Sequence, residues 1–70
     1  VPWRGVVTGD RWKLNLSPGD RCELYDLNSD PAELNNLFED IENKDRIRDM
    51  AARIRIWQDK TGDKMQLPTI

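Results

Sequence analysis

Few side chains in this 70-residue sequence are of the types that do chemistry. The chain has one cysteine, Cys22, and no histidine, so it lacks a ready general acid or base near neutral pH. A lone cysteine supports neither an internal disulfide nor a zinc site. Asp30 and Glu33 form a paired-carboxylate pattern, but helix capping explains both positions. We therefore expect no catalytic residue and no metal ligand set within this chain.

Those carboxylates follow a short predicted strand. Glu23–Leu27 alternates in the manner of a strand, with Leu24 on one face and Tyr25 and Leu27 on the other. Asn28–Ser29 ends the strand, because the side chains of both residues hydrogen-bond nearby backbone and favour turns.

A helix-start pattern comes next. Asp30 is suited to cap free N–H groups, and Pro31 occupies a position where no N–H is needed. Glu33 lies three residues after the cap and can reach back to it. The sequence predicts a single helical turn here, anchored by Leu34 and Leu37.

Earlier in the chain, two further strands are predicted. Trp3–Thr8 and Arg11–Leu16 flank Gly9–Asp10, a two-residue turn of the Gly-X kind. Ser17–Asp20 has the composition of a type II turn and leads into a third strand, Arg21–Leu27. Together they predict an antiparallel meander with one apolar face.

One long helix is predicted near the C-terminus. Asp40 and Asn43 are both candidate N-caps, and Gly62 is suited to end the helix in a left-handed conformation. Ile56 falls outside the apolar stripe, where it could touch a neighbouring domain. Residues 63–70 lack periodicity and are predicted to be a loose tail. The stripe contains Ile47, Met50, Ala51, Ile54 and Trp57.

These elements predict a small α+β unit over residues 1–62. Its sheet has three strands, with room for a fourth from elsewhere in a longer parent chain, and the helix packs on the apolar face. Burial and conformational entropy nearly cancel for a chain of this size, so a partner surface is expected. The predicted core comprises Trp12, Leu14, Leu16, Leu24 or Tyr25, Leu27, Ile47, Met50, Ile54 and Trp57.

Charge is segregated along the chain. Residues 1–22 carry a net charge of +2, residues 23–45 carry −7 and residues 46–70 carry +3. Solvated faces and capping of the last helix account for this pattern. No apolar run approaches the length of a membrane span.

The sequence resembles the C-terminal subdomain of the sulfatase family over residues 4–62. In that subdomain a strand of the type E-L-Y-D-L leads into D-P-x-E-x-x-N-L before a final helix. The segment Val7–Leu14 is also similar to the family's preceding hairpin. The matching residues of the first two motifs are Glu23, Leu24, Tyr25, Asp26, Leu27, Asp30, Pro31, Glu33, Asn36 and Leu37.

The resemblance implies a parent enzyme with a separate catalytic domain. Sulfatases use Ca²⁺ and a formylglycine made from a C/S-x-P-x-R pattern, and both would lie upstream of this chain. Cys22 fails the pattern, and Ser17-Pro18-Gly19-Asp20-Arg21 has the proline one position early. The resemblance therefore implies a non-catalytic subdomain that packs on the catalytic domain. It also implies a sulfated small molecule or glycan as the parent's substrate, and a periplasmic, extracellular or lysosomal location.

Three residues of the first hairpin are candidates for the substrate rim. In the family this hairpin can approach the substrate entrance. Arg11 and Lys13 would suit an anionic sulfate ester, and Trp12 could stack on a sugar or aryl ring. Core packing is the simpler interpretation of Trp12. Exposure to solvent is the simpler interpretation of Arg11 and Lys13.

Two alternatives belong to other functional classes. A free-standing nucleic-acid-binding module would use a basic face of the sheet, but the net charge of −2 and pI near 5.0 oppose it. A small protein-interaction domain would use the spare apolar surface. The residues of the basic face would be Arg4, Arg11, Lys13, Asn15 and Arg21.

Overall fold

The chain forms a three-stranded antiparallel sheet crossed by one long helix, in a computed structural model that describes residues 3–19, 21–68 and 70. The predicted α+β meander is confirmed, while Pro2, Asp20 and Thr69 lie outside the described residues. The strands are β1 (Arg4–Val7), β2 (Trp12–Leu16) and β3 (Glu23–Asp26); a 3-10 turn (Ile41–Asn43) leads directly into the helix α1 (Lys44–Thr61).

The sheet order is β1-β2-β3, so β2 is central. Val6 lies opposite Leu14, and Leu14 lies opposite Leu24, which sets three apolar side chains in a row across one face. Side chains on the same face of neighbouring strands pack against each other. That face meets α1.

The core lies between this sheet face and the apolar stripe of the helix. Its buried members are Leu14, Leu16, Leu24, Ile47, Met50, Ala51 and Ile54. Tyr25 is also buried, at 7% exposure, but on the opposite face of the sheet because it lies beside Leu24 in β3. The prediction left Leu24 and Tyr25 as alternatives, and both are buried.

The predicted core is wrong at Trp57, because the side chain of Trp57 is 49% exposed. At 100° per residue it lies about 80° around the helix from Ile47, at the margin of the apolar stripe. Trp12 and Leu27 are half-buried rather than buried, although Trp12 does pack against the core cluster. Ile56, predicted outside the stripe, is 55% exposed.

The hairpin between β1 and β2 has a three-residue loop, not the predicted two-residue turn. The Arg11 N–H donates to the Thr8 carbonyl oxygen at 2.9 Å, which closes a turn over Gly9 and Asp10. Arg11 then takes a left-handed φ of 65°, whereas Gly9 does not have a positive φ. A turn followed by a left-handed residue is the common three-residue hairpin, so Arg11 is a loop residue instead of the first residue of β2.

Neither candidate N-cap makes a side-chain capping bond. Asp40 precedes the 3-10 turn and Asn43 precedes α1, and both lack a side-chain cap hydrogen bond. At the other end, Gly62 has a φ of 73° and its N–H donates to the Gln58 carbonyl oxygen. The predicted helix stop at Gly62 is confirmed.

The segment after the helix is irregular but packed. The described residues 63–68 and 70 have no helix or strand, yet Leu67 and Ile70 are partly buried against the core. The Gln58 side chain also donates to the Met65 carbonyl oxygen at 3.1 Å. The segment predicted to be a loose tail therefore contributes to the folded structure.

Candidate functional site

The residues that carry the sulfatase resemblance build a corner that covers the outer edge of β3. The Leu24 N–H donates to Asn36 Oδ1 at 3.0 Å, and Asn36 Nδ2 donates to the Cys22 carbonyl oxygen at 3.1 Å. The Leu37 N–H donates to the Leu24 carbonyl oxygen at 2.8 Å. One asparagine side chain thus pairs with the strand as a neighbouring strand's backbone would. We call residues 26–37 the β3 corner.

Asp26 begins this corner. Its Oδ1 accepts the Asn28 N–H at 3.0 Å and its Oδ2 accepts the Ser29 hydroxyl at 3.1 Å. Burial alone would raise the pKa of Asp26, but the hydrogen bonds from Asn28 and Ser29 outweigh it and lower the pKa. The Asp26 carbonyl oxygen also accepts the Asp30 N–H at 2.8 Å. Asp26 is therefore a turn-forming residue held in its charged form.

The predicted helical turn after Asp30 is wrong. Residues 30–37 contain no helix, because Glu33 takes a left-handed φ of 57° that a right-handed helix cannot include. The Asp30 carboxylate does accept backbone N–H groups, but from Leu34 at 3.0 Å and Asn35 at 2.9 Å. Pro31 lies exposed in the turn.

Two predicted contacts of this corner also differ. Glu33 does not return to the cap; its Oε1 lies 3.0 Å from Lys13 Nζ, an ion pair to the central strand. Leu34, predicted as an anchor, is 86% exposed, whereas Leu37 is partly buried against the core. The Asp30 carboxylate accepts backbone N–H groups as predicted, but within a turn and not at the start of a helix.

The three rim candidates do not converge. Arg11 is exposed in the hairpin loop, and Trp12 packs on the core on the helix side of the sheet. Lys13 follows Trp12 in the same strand, so its side chain lies on the opposite face. They form no single pocket.

One cluster, which we call the hairpin cluster, consists of Asp10, Trp12 and Arg46. The Arg46 guanidinium carbon lies 4.1 Å from the centre of the Trp12 ring, and Arg46 Nη1 lies 2.9 Å from Asp10 Oδ2. A hydrogen bond from the Thr8 hydroxyl and the Arg46 guanidinium both lower the pKa of Asp10. The cluster ties the hairpin loop to the first turns of α1.

A second cluster, the tail cluster, consists of Arg4, Trp57 and Asp63. Arg4 Nε lies 2.7 Å from Asp63 Oδ2, and Arg4 Nη2 lies 3.0 Å from Oδ1, a two-bond pair that joins residues 59 positions apart. The hydrogen bond from Arg4 lowers the pKa of Asp63 to about 2, and Gln58 contributes in the same direction. The Arg4 guanidinium carbon is 5.9 Å from the centre of the Trp57 ring. No local sequence signal indicates either cluster, because the partners are far apart in the chain.

Beside the tail cluster, a shallow cleft of about 220 Å³ lies between β1 and the second half of α1. Trp3 and Trp57 border it, and each is about half exposed. Gly5 also lines it; a Cβ on Gly5 would lie on the sheet face opposite the helix, 2.5 Å from Asn15 Oδ1 and 2.7 Å from the Trp3 ring, so both side chains would have to shift. The other lining residues are Arg4, Val6, Arg53 and Ile54.

The edge of β1 next to this cleft is open. The Thr8 N–H donates to the Trp12 carbonyl oxygen at 2.9 Å, so this cross-strand pair is hydrogen-bonded. Such pairs alternate along an antiparallel ladder. Gly5 and Val7 are therefore the residues whose N–H and C=O groups point away from β2. No other strand of the described chain adjoins β1 on that side.

On the sheet face opposite the helix, Tyr25 is held by a polar neighbour. Its hydroxyl donates to Glu23 Oε2 at 2.9 Å, and burial, followed by this hydrogen bond, raises the pKa of Tyr25. Asn15, 8% exposed, donates to Glu23 Oε1 at 3.4 Å. These groups support one another and do not surround an open site.

The described residues offer no ligand set for the Ca²⁺ of the resembled family. No three acidic, histidine or cysteine side chains among them are grouped so as to hold a metal ion. Cys22 is half-buried beside the β3 corner.

The basic face that a nucleic-acid module would need is not assembled. Arg4 and Val6 share the helix side of β1, whereas Lys13 and Asn15 lie on the other face of the sheet. Arg4 and Lys13 are both engaged in ion pairs, and Asn15 is buried.

The chain matches no protein-family model, and neither the curated proteins nor the solved structures include a match. Within the part of the chain that the structure describes, no helix combines the length and apolar character that crossing a bilayer requires.

Proposed function

We propose that this chain is the non-catalytic C-terminal subdomain of a sulfatase and packs on that enzyme's catalytic α/β domain. The proposal rests on the order and spacing of the two motifs, Glu23–Leu27 and Asp30–Leu37, and on what their side chains do. Asn36 is the observation that carries most weight. Its amide makes hydrogen bonds to both Leu24 and Cys22, so a motif residue with no catalytic chemistry has a specific structural task.

A docking role agrees with the surface of the chain. Six large apolar residues are about half or more exposed, and Leu34 and Ile41 reach 86% and 78%. Contiguous exposed apolar patches mark interaction surfaces, and two of these residues, Trp3 and Trp57, border one cleft. The six are Trp3, Val7, Leu34, Ile41, Ile56 and Trp57.

Under this proposal the chemistry belongs to the parent's catalytic domain. That domain would supply the formylglycine and the Ca²⁺ ligands and would bind the sulfated small molecule or glycan. The present chain would contribute a docked sheet and helix, and its hairpin would lie near the substrate entrance.

The coding sequence upstream of Val1 tests the assignment. A C/S-x-P-x-R pattern there, preceded by acidic metal ligands, is the expected result. A start codon immediately before Val1, with no such pattern, would remove the sulfatase proposal and leave a free-standing 70-residue protein.

The rim role of the hairpin is tested separately in the full-length enzyme. Replacing Arg11 and Lys13 by alanine should raise KM for a sulfate ester about two- to fivefold, the range expected for exposed charge interactions. Arg48→Ala is the control, because the Arg48 side chain is 67% exposed on the helix. Unchanged KM in the double variant would refute the rim role and leave the docking role intact.

A further inference from the structure

The open edge of β1 and the adjacent cleft share one surface. Gly5 and Val7 direct backbone donors and acceptors outward, as derived from the Thr8–Trp12 hydrogen bond and the ladder register. Trp3 and Trp57 border the cleft immediately beside them. An edge with unpaired N–H and C=O groups is a template for another strand.

We propose that this surface binds an extended acidic peptide segment of another protein, which adds to the sheet alongside β1. Backbone hydrogen bonds to Gly5 and Val7 would supply much of the affinity, as in other strand-addition complexes. Alternate side chains of the added strand would face the cleft, where Trp3 and Trp57 leave room for one apolar group.

The acidic character follows from the charges around the cleft. Its lining includes Arg4 and Arg53. Arg4 is already held by two hydrogen bonds to Asp63, so Arg53 is the cation with which a bound strand can pair. Arg53 forms an exposed pair with Asp49 at 3.3 Å, with both side chains more than half exposed. Exposed pairs of this kind are weak, so a carboxylate on the bound strand can replace Asp49.

The same charges disfavour a second copy of this chain as the occupant. Pairing two β1 edges would bring the Arg53 side chains that line the two clefts towards each other, and like charges at short range repel. An acidic strand meets no such penalty. The interaction requires only the sheet edge and the cleft, so it does not depend on the sulfatase proposal; it assigns Trp3 and Trp57 to the added strand and not to a catalytic domain.

The test uses the 70-residue chain and the acetylated, amidated peptide Thr-Glu-Val-Leu-Val-Glu-Thr, in which Leu and both Glu side chains share one face. We expect ¹⁵N–¹H shift changes centred on Gly5 and Val7, with a Kd on the order of 100 µM, the weak range of a short peptide. The peptide with Lys in place of both Glu residues should bind at least about tenfold more weakly.

One further peptide and two protein variants distinguish strand addition from loose apolar contact. N-methylation of the alternate peptide amides that face β1 should abolish binding while the protein stays unaltered. Val7→Pro removes one outward donor without removing a bond to β2 and should weaken binding about tenfold. Leu34→Ser, distant in sequence from β1 and equally apolar at the surface, is the matched control and should bind as the unaltered chain does.

Three results would overturn the proposal. Equal binding of the N-methylated peptide would mean that no strand is added. Shift changes that bypass Gly5 and Val7 would place the peptide elsewhere. Concentration-dependent shifts of those two amides without peptide would mean that a second copy occupies the edge.

Discussion

The hairpin cluster and the tail cluster contain the same three residue types and hold their partners in different ways. In the hairpin cluster the guanidinium of Arg46 lies 4.1 Å from the centre of the Trp12 ring, and the ion pair to Asp10 has side chains 38% and 57% exposed. In the tail cluster the Arg4 guanidinium is 5.9 Å from the Trp57 ring, and its pair with Asp63 is 29% and 14% exposed.

The two clusters differ in how far solvent screens the charge of the carboxylate. Where the carboxylate is shielded, as at Asp63, hydrogen bonds to the charge are strong and the ring contributes little. Where the carboxylate is exposed, as at Asp10, solvent weakens the ion pair, and the contact of the guanidinium with the Trp12 ring becomes the main stabilising interaction. We therefore expect that loss of a charge destabilises the tail cluster more, and that loss of the aromatic ring destabilises the hairpin cluster more.

The largest expected effect on stability comes from comparing the two tryptophan substitutions. Trp12→Ala should lower the free energy of unfolding by about 2–3 kcal/mol, because Trp12 packs against the core as well as under Arg46. Trp57→Ala should cost about 1 kcal/mol or less, since half of that side chain is already exposed. Urea denaturation of both variants measures the difference. Equal losses would show that the two rings are equivalent and would break the comparison.

Acid should act mainly on the tail cluster. The pKa of Asp63 is about 2 in the folded chain against an ordinary 3.8, so its stabilising effect is fully present above about pH 4 and is lost as the pH falls towards 2. The expected result is a decrease in stability over that window that Asp63→Asn largely flattens. The pKa of Asp10 is also lowered.

Asp10→Asn is the control for this titration. Its carboxylate is more exposed than that of Asp63, so the variant should flatten the acid limb less. Thermal unfolding followed by circular dichroism at half-unit pH steps gives both curves. If Asp10→Asn flattened the acid limb of the stability curve more than Asp63→Asn does, the acid dependence would belong to the hairpin cluster and not to the tail cluster.

Arg46→Lys isolates the stacking contact of the hairpin cluster. Lysine keeps the charge near Asp10 but loses the planar group that lies over Trp12. The expected loss of stability is about 0.5–1 kcal/mol, with little dependence on salt. If the loss vanished in 1 M NaCl, the ion pair and not the ring would be the source of the stability.

The smallest effect is expected at Arg11. Its φ of 65° is left-handed, a conformation that glycine adopts without a steric penalty. Arg11→Gly should raise stability by about 0.5 kcal/mol by relieving the loop that carries Asp10. Lys13→Gly, in the neighbouring strand position, is the opposite control and should destabilise. Destabilisation by Arg11→Gly would mean that the side chain itself holds the loop.

Much of the fold could be predicted, since regular elements have periodic signatures. The alternation of Trp12, Leu14 and Leu16 gave β2, and the stripe from Ile47 to Ile54 gave the buried face of α1. Gly62 marked the helix end because few other residues tolerate its left-handed φ.

The predictions failed where the same short sequence is compatible with two different backbone structures. Asp30, Pro31 and Glu33 have the composition of a helix start, but Lys13 lies within reach of the Glu33 carboxylate and the backbone at Glu33 turns left-handed. Leu34 is consequently exposed. The Lys13–Glu33 ion pair joins positions 20 residues apart, and no local spacing encodes that contact.

The candidate site was less predictable than the fold. The contacts of Arg4 with Asp63 and of Arg46 with Asp10 join segments that only the folded sheet and helix bring together. The open edge of β1 follows from the predicted meander order, but nothing in the sequence indicates that Trp3 and Trp57 border a cleft beside it. Arg11, Trp12 and Lys13 are adjacent in sequence but point in different directions once the loop geometry is known.

The asparagine that covers the edge of β3 also limits how far this protein can self-assemble. A fibre built by strand pairing needs two free edges on every molecule, one for each neighbour. Here the Asn36 amide and the Leu37 N–H occupy one of them, so polymerisation through the sheet would stop after a single addition. An Asn36→Ala variant would free the Leu24 N–H on that edge, and thioflavin-positive aggregates are its expected failure mode.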